Sequence, residues 1–174
     1  MSKFSERGIR CRNASAASLP YTKRKALRDA YRDLIDSMRP AYFVTFNFGA
    51  KIGPTAAFGV MDGFCCRLER RALGRNWNKY PRTSRMKLIA FPEHLSSNPH
   101  WHSVVRLPKK EARILIRSGG EMWMNLAERG QLDRQLVKSR TKVRNYITKR
   151  LAECDALDHV YIYVPRARKR KSAA

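Results

Sequence analysis

Apolar positions along this chain follow two rhythms. From 22 to 38, TKRKALRDAYRDLIDSM, residues Ala26, Ala30, Leu34 and Met38 recur four apart, with Leu27, Tyr31 and Ile35 beside them. That spacing predicts a helix, with Thr22 as a candidate cap and Pro40 just beyond its end. AYFVTFNF (41–48) is aromatic and β-branched and predicts a strand. A second helix is expected from Pro54 or Thr55 to Ala72, weakened by Gly59 and Gly63 and ended near Gly74. MKLIAF (86–91) has strand character and is expected to close at Pro92, and HWHSVVRL (100–107) is a further strand stopped by Pro108. KKEARILIRS and GEMWMNLAER predict two short helices around Gly119 and Gly120. QLDRQLVK (131–138) alternates imperfectly and fits a strand. SRTKVRNYITKRLAE (139–153) carries the clearest helical pattern, with Val143, Ile147, Leu151 and Cys154 on one stripe, and HVYIYV (159–164) is a closing strand.

The strands are spaced too irregularly for a doubly wound parallel sheet. The expected fold is therefore α+β, a mostly antiparallel central sheet flanked by helices. One domain over 22–164 is predicted, between a flexible basic arm (1–21) and a basic tail (165–174), with no internal repeat.

Composition narrows the class of function. With 174 residues, 43% of them apolar and 10% aromatic, the chain can bury a core, which excludes a wholly disordered protein. Lys and Arg number 37 against 14 Asp and Glu, a net charge of +23, so polyanions are the expected partners and nucleic acid leads. An anionic membrane surface comes second, but no basic amphipathic helix with a bulky apolar face is evident. No apolar stretch approaches the roughly 20 residues that span a bilayer, and no signal-peptide core follows the basic residues 1–13. A soluble protein is expected, in the cytoplasm with the nucleoid of a bacterial host, or in the nucleus of a eukaryotic one. The four cysteines, Cys11, Cys65, Cys66 and Cys154, lack CxxC spacing and read as packing residues.

Two constellations can carry chemistry. In a strand alternate side chains share a face, so His100 and His102 point one way while Trp101, Ser103, Val105 and Leu107 point the other. Two imidazoles joined by the carboxylate of Glu93 make a two-His, one-carboxylate cation site with open positions. Such a site holds a divalent ion that polarises a phosphate oxygen. Three of the four histidines fall at 94, 100 and 102, so His94 competes with Glu93 as third ligand, and an exposed pair of strand histidines holding no metal has the same spacing. The second constellation is Tyr146, which helical spacing places beside Lys142, Lys149 and Arg150. A phenol is a weak nucleophile, and surrounding cations both favour its ionised form and grip an attacked phosphate. The same tyrosine also borders the Val143/Ile147 stripe, where an aromatic ring can simply snorkel from the core.

Further basic residues have simpler uses. Lys23, Arg24 and Lys25 cluster on the first predicted helix, and Arg166, Arg168, Lys169, Arg170 and Lys171 make up the tail. Both groups suit sequence-independent contact with a nucleic-acid backbone. Trp77 and Tyr80, set among Arg75, Lys79 and Arg82 in the loop GRNWNKYPRTS (74–84), suit either base stacking or packing of the loop.

In chain order, FVTFNF (43–48), PHWHSVV (99–105) and YITKRL (146–151) resemble the three motifs of HUH endonucleases: an apolar first strand, a His-apolar-His strand and a Tyr-x-x-Lys helix. The histidines precede the tyrosine, which is similar to the replication-initiator branch, and GQLDRQLVK resembles the strand that precedes its tyrosine helix. The resemblance spans about residues 41–164. It implies a metal-dependent nickase and strand transferase acting on single-stranded DNA, at an origin hairpin, most simply to start rolling-circle replication of a plasmid or small phage. Carried over residue by residue, the implied metal ligands are His100, His102 and Glu93, with Mn²⁺ or Mg²⁺ as cofactor. Tyr146 is the implied nucleophile, yielding a 5′-phosphotyrosine link, and Lys149 is the helix lysine. Lys142, Arg144, Arg150, Trp77, Tyr80, Arg168, Lys169 and Arg170 are the expected DNA contacts. The chain departs from the pattern in two ways. A single tyrosine stands in the motif, and no GxxxxGK[ST] phosphate loop is present, so unwinding and synthesis are expected from a host helicase and polymerase. A single-tyrosine HUH transposase and a non-catalytic basic nucleic-acid-binding protein are the alternatives.

Overall fold

The first apolar stripe folds as helix α1 (Tyr21–Met38), which begins at Pro20 rather than at a Thr22 cap. The fixed φ of proline suits a helix start, so no side-chain cap is needed there. The computed structural model describes residues 19–149, 151, 156–163 and 165. Most of the expected amino-terminal arm, the tail from Arg166 onward, and Cys11, Arg150 and Cys154 lie outside the described residues.

After α1 come β1 (Tyr42–Asn47), α2 (Pro54–Leu73), β2 (Lys87–Glu93), β3 (His100–Arg106), α3 (Lys109–Met124), β4 (Gln131–Leu136), α4 (Arg140–Ile147) and β5 (Tyr161–Tyr163). The strands form one sheet in the order β4-β1-β3-β2-β5, with every neighbouring pair antiparallel. The architecture is α+β, as the interspersed rhythms predict.

Register divides the sheet into two faces. Val44, Phe46, Trp101, Val105, Leu88, Tyr161 and Tyr163 project to one side, where α2 and α3 bring Met61, Phe64, Leu68, Leu115 and Trp123. Phe46, Phe48, Phe64 and Trp123 meet there edge-on or tilted, with centroids 4.8–5.7 Å apart. Burying each large apolar side chain contributes roughly 1.5–3 kcal/mol, so this face supplies much of the stability. Cys65 is part of the same core, and both it and Cys66 are free thiols. Phe43, Ile89, Phe91 and Val104 project to the other side, covered by Ile35 and Met38 of α1, by Ile147 of α4, and by Leu151 and Leu157. This cover is partial. Gln131, Asp133 and Gln135 of β4 share the second face and are exposed.

Besides the start of α1, and β5, which begins at Tyr161 because His159 closes a 3-10 turn, three boundaries differ from those expected. Strand β2 does not close at Pro92 but runs through it to Glu93. Strand β5 pairs only with Leu88–Ala90, so at Pro92 the strand has a ladder on one side only, where a missing N–H is tolerated. The two short helices expected around Gly119 and Gly120 are the single helix α3. A Cβ on Gly119 would stand 3.0 Å from Leu115 Cδ1 and 3.2 Å from Leu132 Cδ2, so this glycine lets α3 settle closely on β4. Helix α4 is shorter than the expected 139–153. The Ser139 hydroxyl caps its start, accepting from the Lys142 N–H, and it ends at Thr148. The Thr148 hydroxyl donates back to the Arg144 carbonyl at 2.7 Å and accepts from Arg32 Nε at 3.1 Å, and tight turns then carry the chain to buried Leu151.

Candidate metal centre and its tyrosine

The extension of β2 through Pro92 places Glu93 directly opposite His100 in β3, with His102 on the same face one pair further along. Neighbouring strands lie about 4.8 Å apart, so the three side chains converge over the sheet end. Glu93 Oε2 lies 3.5 Å from His100 Nε2 and 3.1 Å from His102 Nε2. One ligand atom from each of the three residues falls within 4.8 Å of the others, the only such grouping of potential ligands among the described residues. His94 is not part of it. Its backbone takes the left-handed conformation (φ 52°), and its carbonyl accepts the Ser97 and Asn98 N–H groups in the β2–β3 turn. Its exposed ring stacks against His100 at 5.5 Å. Geometry thus selects Glu93 over His94 as the third member of the cluster.

The donor set fits a divalent ion. His100 Nδ1 donates to the Asn98 carbonyl at 2.9 Å, which leaves the Nε2 lone pair directed at the cluster. Burial, the largest influence, holds the His102 imidazole below its ordinary pKa, and the opposing pull of Glu93 does not prevail. A neutral imidazole is the form that binds a metal. Two imidazoles and one carboxylate leave coordination positions open, the pattern of a divalent-metal site with room for further ligands.

Helix α4 brings Tyr146 over this cluster. Its hydroxyl is 3.4 Å from His102 Nε2, and its ring packs edge-on against His102 at 5.4 Å and against Phe43 at 6.0 Å. Tyr146 nevertheless remains 44% exposed, so its hydroxyl is not sealed into the core. Lys149 sits in the turn after α4 instead of on the helix, yet keeps the expected neighbourhood. Its Nζ stands 3.9 Å from the centre of the Tyr146 ring and 3.1 Å from Glu93 Oε1. A cation, a phenol and a cluster of possible metal ligands therefore meet at one exposed end of the sheet.

The remaining candidates scatter. Lys142 is exposed on α4 near the site. Arg144 pairs with Asp36 and ties α4 to α1, an anchoring role beside the expected DNA contact. Trp77 and Tyr80 lie in the segment between α2 and β2, and Glu93 is at the far end of that strand. The Arg85 guanidinium lies 4.7 Å from the centre of the Trp77 ring, which seats the loop and favours its packing role over base stacking, while Tyr80 is exposed. Arg150, Arg168, Lys169 and Arg170 lie outside the described residues. Tyr161 and Tyr163, the other tyrosines near the motif, point into the opposite core and hydrogen-bond to Asp62 and Glu69. Burial pushes both phenols far above their ordinary pKa, so neither is placed to act as a nucleophile at the cluster.

Two contributors escaped the sequence reading. Thr45 Oγ1 lies 2.9 Å from His102 Nδ1, and the Phe43 ring stacks on the His102 ring at 5.3 Å. Both belong to FVTFNF, where alternation put them on one face, but only the β1–β3 register shows that this face is the histidine face.

No protein-family model matches the chain, and no curated protein or solved structure matches it either. Among the described residues, no helix is long and apolar enough to cross a membrane.

Proposed function

We propose that this protein is a metal-dependent, single-stranded DNA nicking and strand-transfer enzyme of the HUH type, with Tyr146 as its nucleophile. The observation that carries the reading is the convergence of Glu93, His100 and His102 within 4.8 Å, with the Tyr146 hydroxyl 3.4 Å from His102 Nε2. The net charge of +23 supports a polyanionic substrate. Glu93, His100 and His102 would hold a divalent ion, which would supply positive charge to the attacked phosphate. Tyr146 Oη attacks the phosphorus, its proton passing to solvent. The bond from phosphorus to the 3′ oxygen breaks in line, and that oxygen takes up a proton from solvent. The 5′ end is left on tyrosine as a phosphodiester, and the other strand ends in a 3′-hydroxyl able to prime synthesis. Lys149, its Nζ 3.9 Å from the centre of the tyrosine ring and 3.1 Å from Glu93 Oε1, would hold the attacked phosphate and orient Glu93. The bond energy is retained in the phosphotyrosine link, so rejoining needs no nucleotide. Initiation of rolling-circle replication is the role this chemistry fits best.

The test incubates the protein with a pool of labelled single-stranded oligonucleotides, with and without Mn²⁺, beside Tyr146→Phe, and resolves the products on a denaturing gel. A metal-dependent protein–DNA adduct that is lost in Tyr146→Phe is expected. Tight binding across the pool with no adduct in either protein would instead indicate a non-catalytic basic DNA-binding protein.

A further inference from the structure

We infer that Thr45 is the positioning residue that aims His102 into the metal centre, through the contact between its hydroxyl and His102 Nδ1. The inference rests on the reading of Glu93, His100 and His102 as metal ligands. An imidazole that ligates through one nitrogen is oriented by whatever its other nitrogen bonds. For His100 that partner is the Asn98 carbonyl, which can only accept, so the ring carries its proton on Nδ1 and turns Nε2 to the cluster. For His102 the partner is Thr45 Oγ1, at 2.9 Å. A hydroxyl is both donor and acceptor. It accepts from Nδ1–H when Nε2 presents its lone pair to an ion. It donates to Nδ1 when Nε2–H instead donates to Glu93 Oε2, 3.1 Å away. The ring thus keeps one orientation in both situations.

The backbone explains why this contact is firm. Thr45 and His102 are direct cross-strand partners in β1 and β3, on the same face. Two residues back on that face, Phe43 stacks on the His102 ring at 5.3 Å and limits its rotation from the flat side. β1 therefore holds His102 by its edge and by its face. Because Tyr146 Oη approaches the same Nε2 at 3.4 Å, the orientation also sets how far the nucleophile stands from the metal position. The first apolar motif thereby acquires a use beyond packing.

The experiment titrates the full chain with Mn²⁺, followed by electron paramagnetic resonance, for wild type, Thr45→Val and Thr45→Ser. Valine keeps the β-branched shape and removes the hydroxyl, whereas serine restores it. Thr45→Val is expected to weaken Mn²⁺ binding by about 10- to 100-fold, as loss of an outer partner of a metal-binding histidine does. Thr45→Ser should bind nearly as wild type, and the urea midpoints of all three should stay close. Equal Mn²⁺ affinity in wild type and Thr45→Val would overturn the inference, and so would a serine variant as weak as the valine one. A second readout needs no metal. In ion-free protein, the His102 Nδ1 resonance should move in Thr45→Val and return in Thr45→Ser, with His100 unchanged, and an identical His102 resonance in all three proteins would overturn the positioning role. A wild-type protein that binds no Mn²⁺ would overturn the metal centre itself, and the imidazole resonances would still decide the role of Thr45.

Discussion

Glu69 and Glu93 lie on opposite faces of one sheet, and each has a cation and a tyrosine close by. Glu69 is fully buried, as is Arg85, whose Nε donates to its Oε1 at 3.0 Å, while the Tyr163 hydroxyl donates to Oε2 at 2.7 Å. The guanidinium fork and the phenol bind the two oxygens in a fixed pattern, shut away from water. Glu93 keeps 11% of its side chain exposed and turns Oε2 to two imidazoles and Oε1 to Lys149, itself 41% exposed. Its tyrosine neighbour opens to solvent, whereas the phenol beside Glu69 is buried and held protonated. Nearly the same residue types make an anchor in one place and a candidate reaction centre in the other. What separates them is access, the rigid arginine fork set against a single lysine ammonium, and the pair of imidazoles that only Glu93 faces.

That difference can be broken from either side. Arg85→Met should have the largest effect on stability, because it leaves the Glu69 carboxyl buried without its main partner, at a cost of about 3–5 kcal/mol. Urea unfolding measures this, and a loss below about 1 kcal/mol would mean that the pair does not anchor α2 to the sheet. Glu93→Gln should do the opposite, costing far less stability than Arg85→Met, since its surroundings are partly hydrated. It should nevertheless weaken Mn²⁺ binding by more than the roughly 10- to 100-fold expected from losing an outer partner. An unchanged Mn²⁺ titration in this variant would remove Glu93 from the ligand set.

The contrast between the two carboxylates also marks where sequence stops being informative. His100 and His102 were legible because strand alternation is a local rule, and Tyr146 with Lys149 because helical spacing is another. The turn after α4 still left Lys149 over the ring, although the helix ends before it. Glu93 was half legible, since its membership depended on β2 continuing through Pro92, which in turn depends on how far the edge strand β5 extends. Thr45 was illegible in its role, because nothing local states which strand β1 pairs with or in what register. Gly119 misled for the same reason: its lack of a side chain serves a contact with Leu132, remote in sequence, instead of a helix break. Trp77 sits on Arg85, whose own place is set by Glu69. Local periodicity thus reached each element and the face of each side chain, while the partners across faces came from tertiary packing.

Glu111 is a second carboxylate on the anchoring face, with no arginine hydrogen-bonded to it. It stands in the first turn of α3, fully buried, and neither carboxyl oxygen finds a side-chain hydrogen-bond partner among the described residues. A helix start favours negative charge, but burial is the stronger influence and, with Glu69 nearby, raises the Glu111 carboxyl above its ordinary pKa. Below the ordinary glutamate pKa the group is protonated in both folded and unfolded chains, and its shift has no effect. As pH rises past that value, the unfolded chain releases the proton while the folded chain keeps it, so the folded state loses stability until its own raised pKa is passed. Glu111→Gln removes this titration while keeping the shape. The variant should therefore unfold at higher urea than wild type at pH 7, and the gap should shrink when both are compared at or below pH 4. A wild type that gains on the variant as pH rises would show that the carboxylate is ionised and paired.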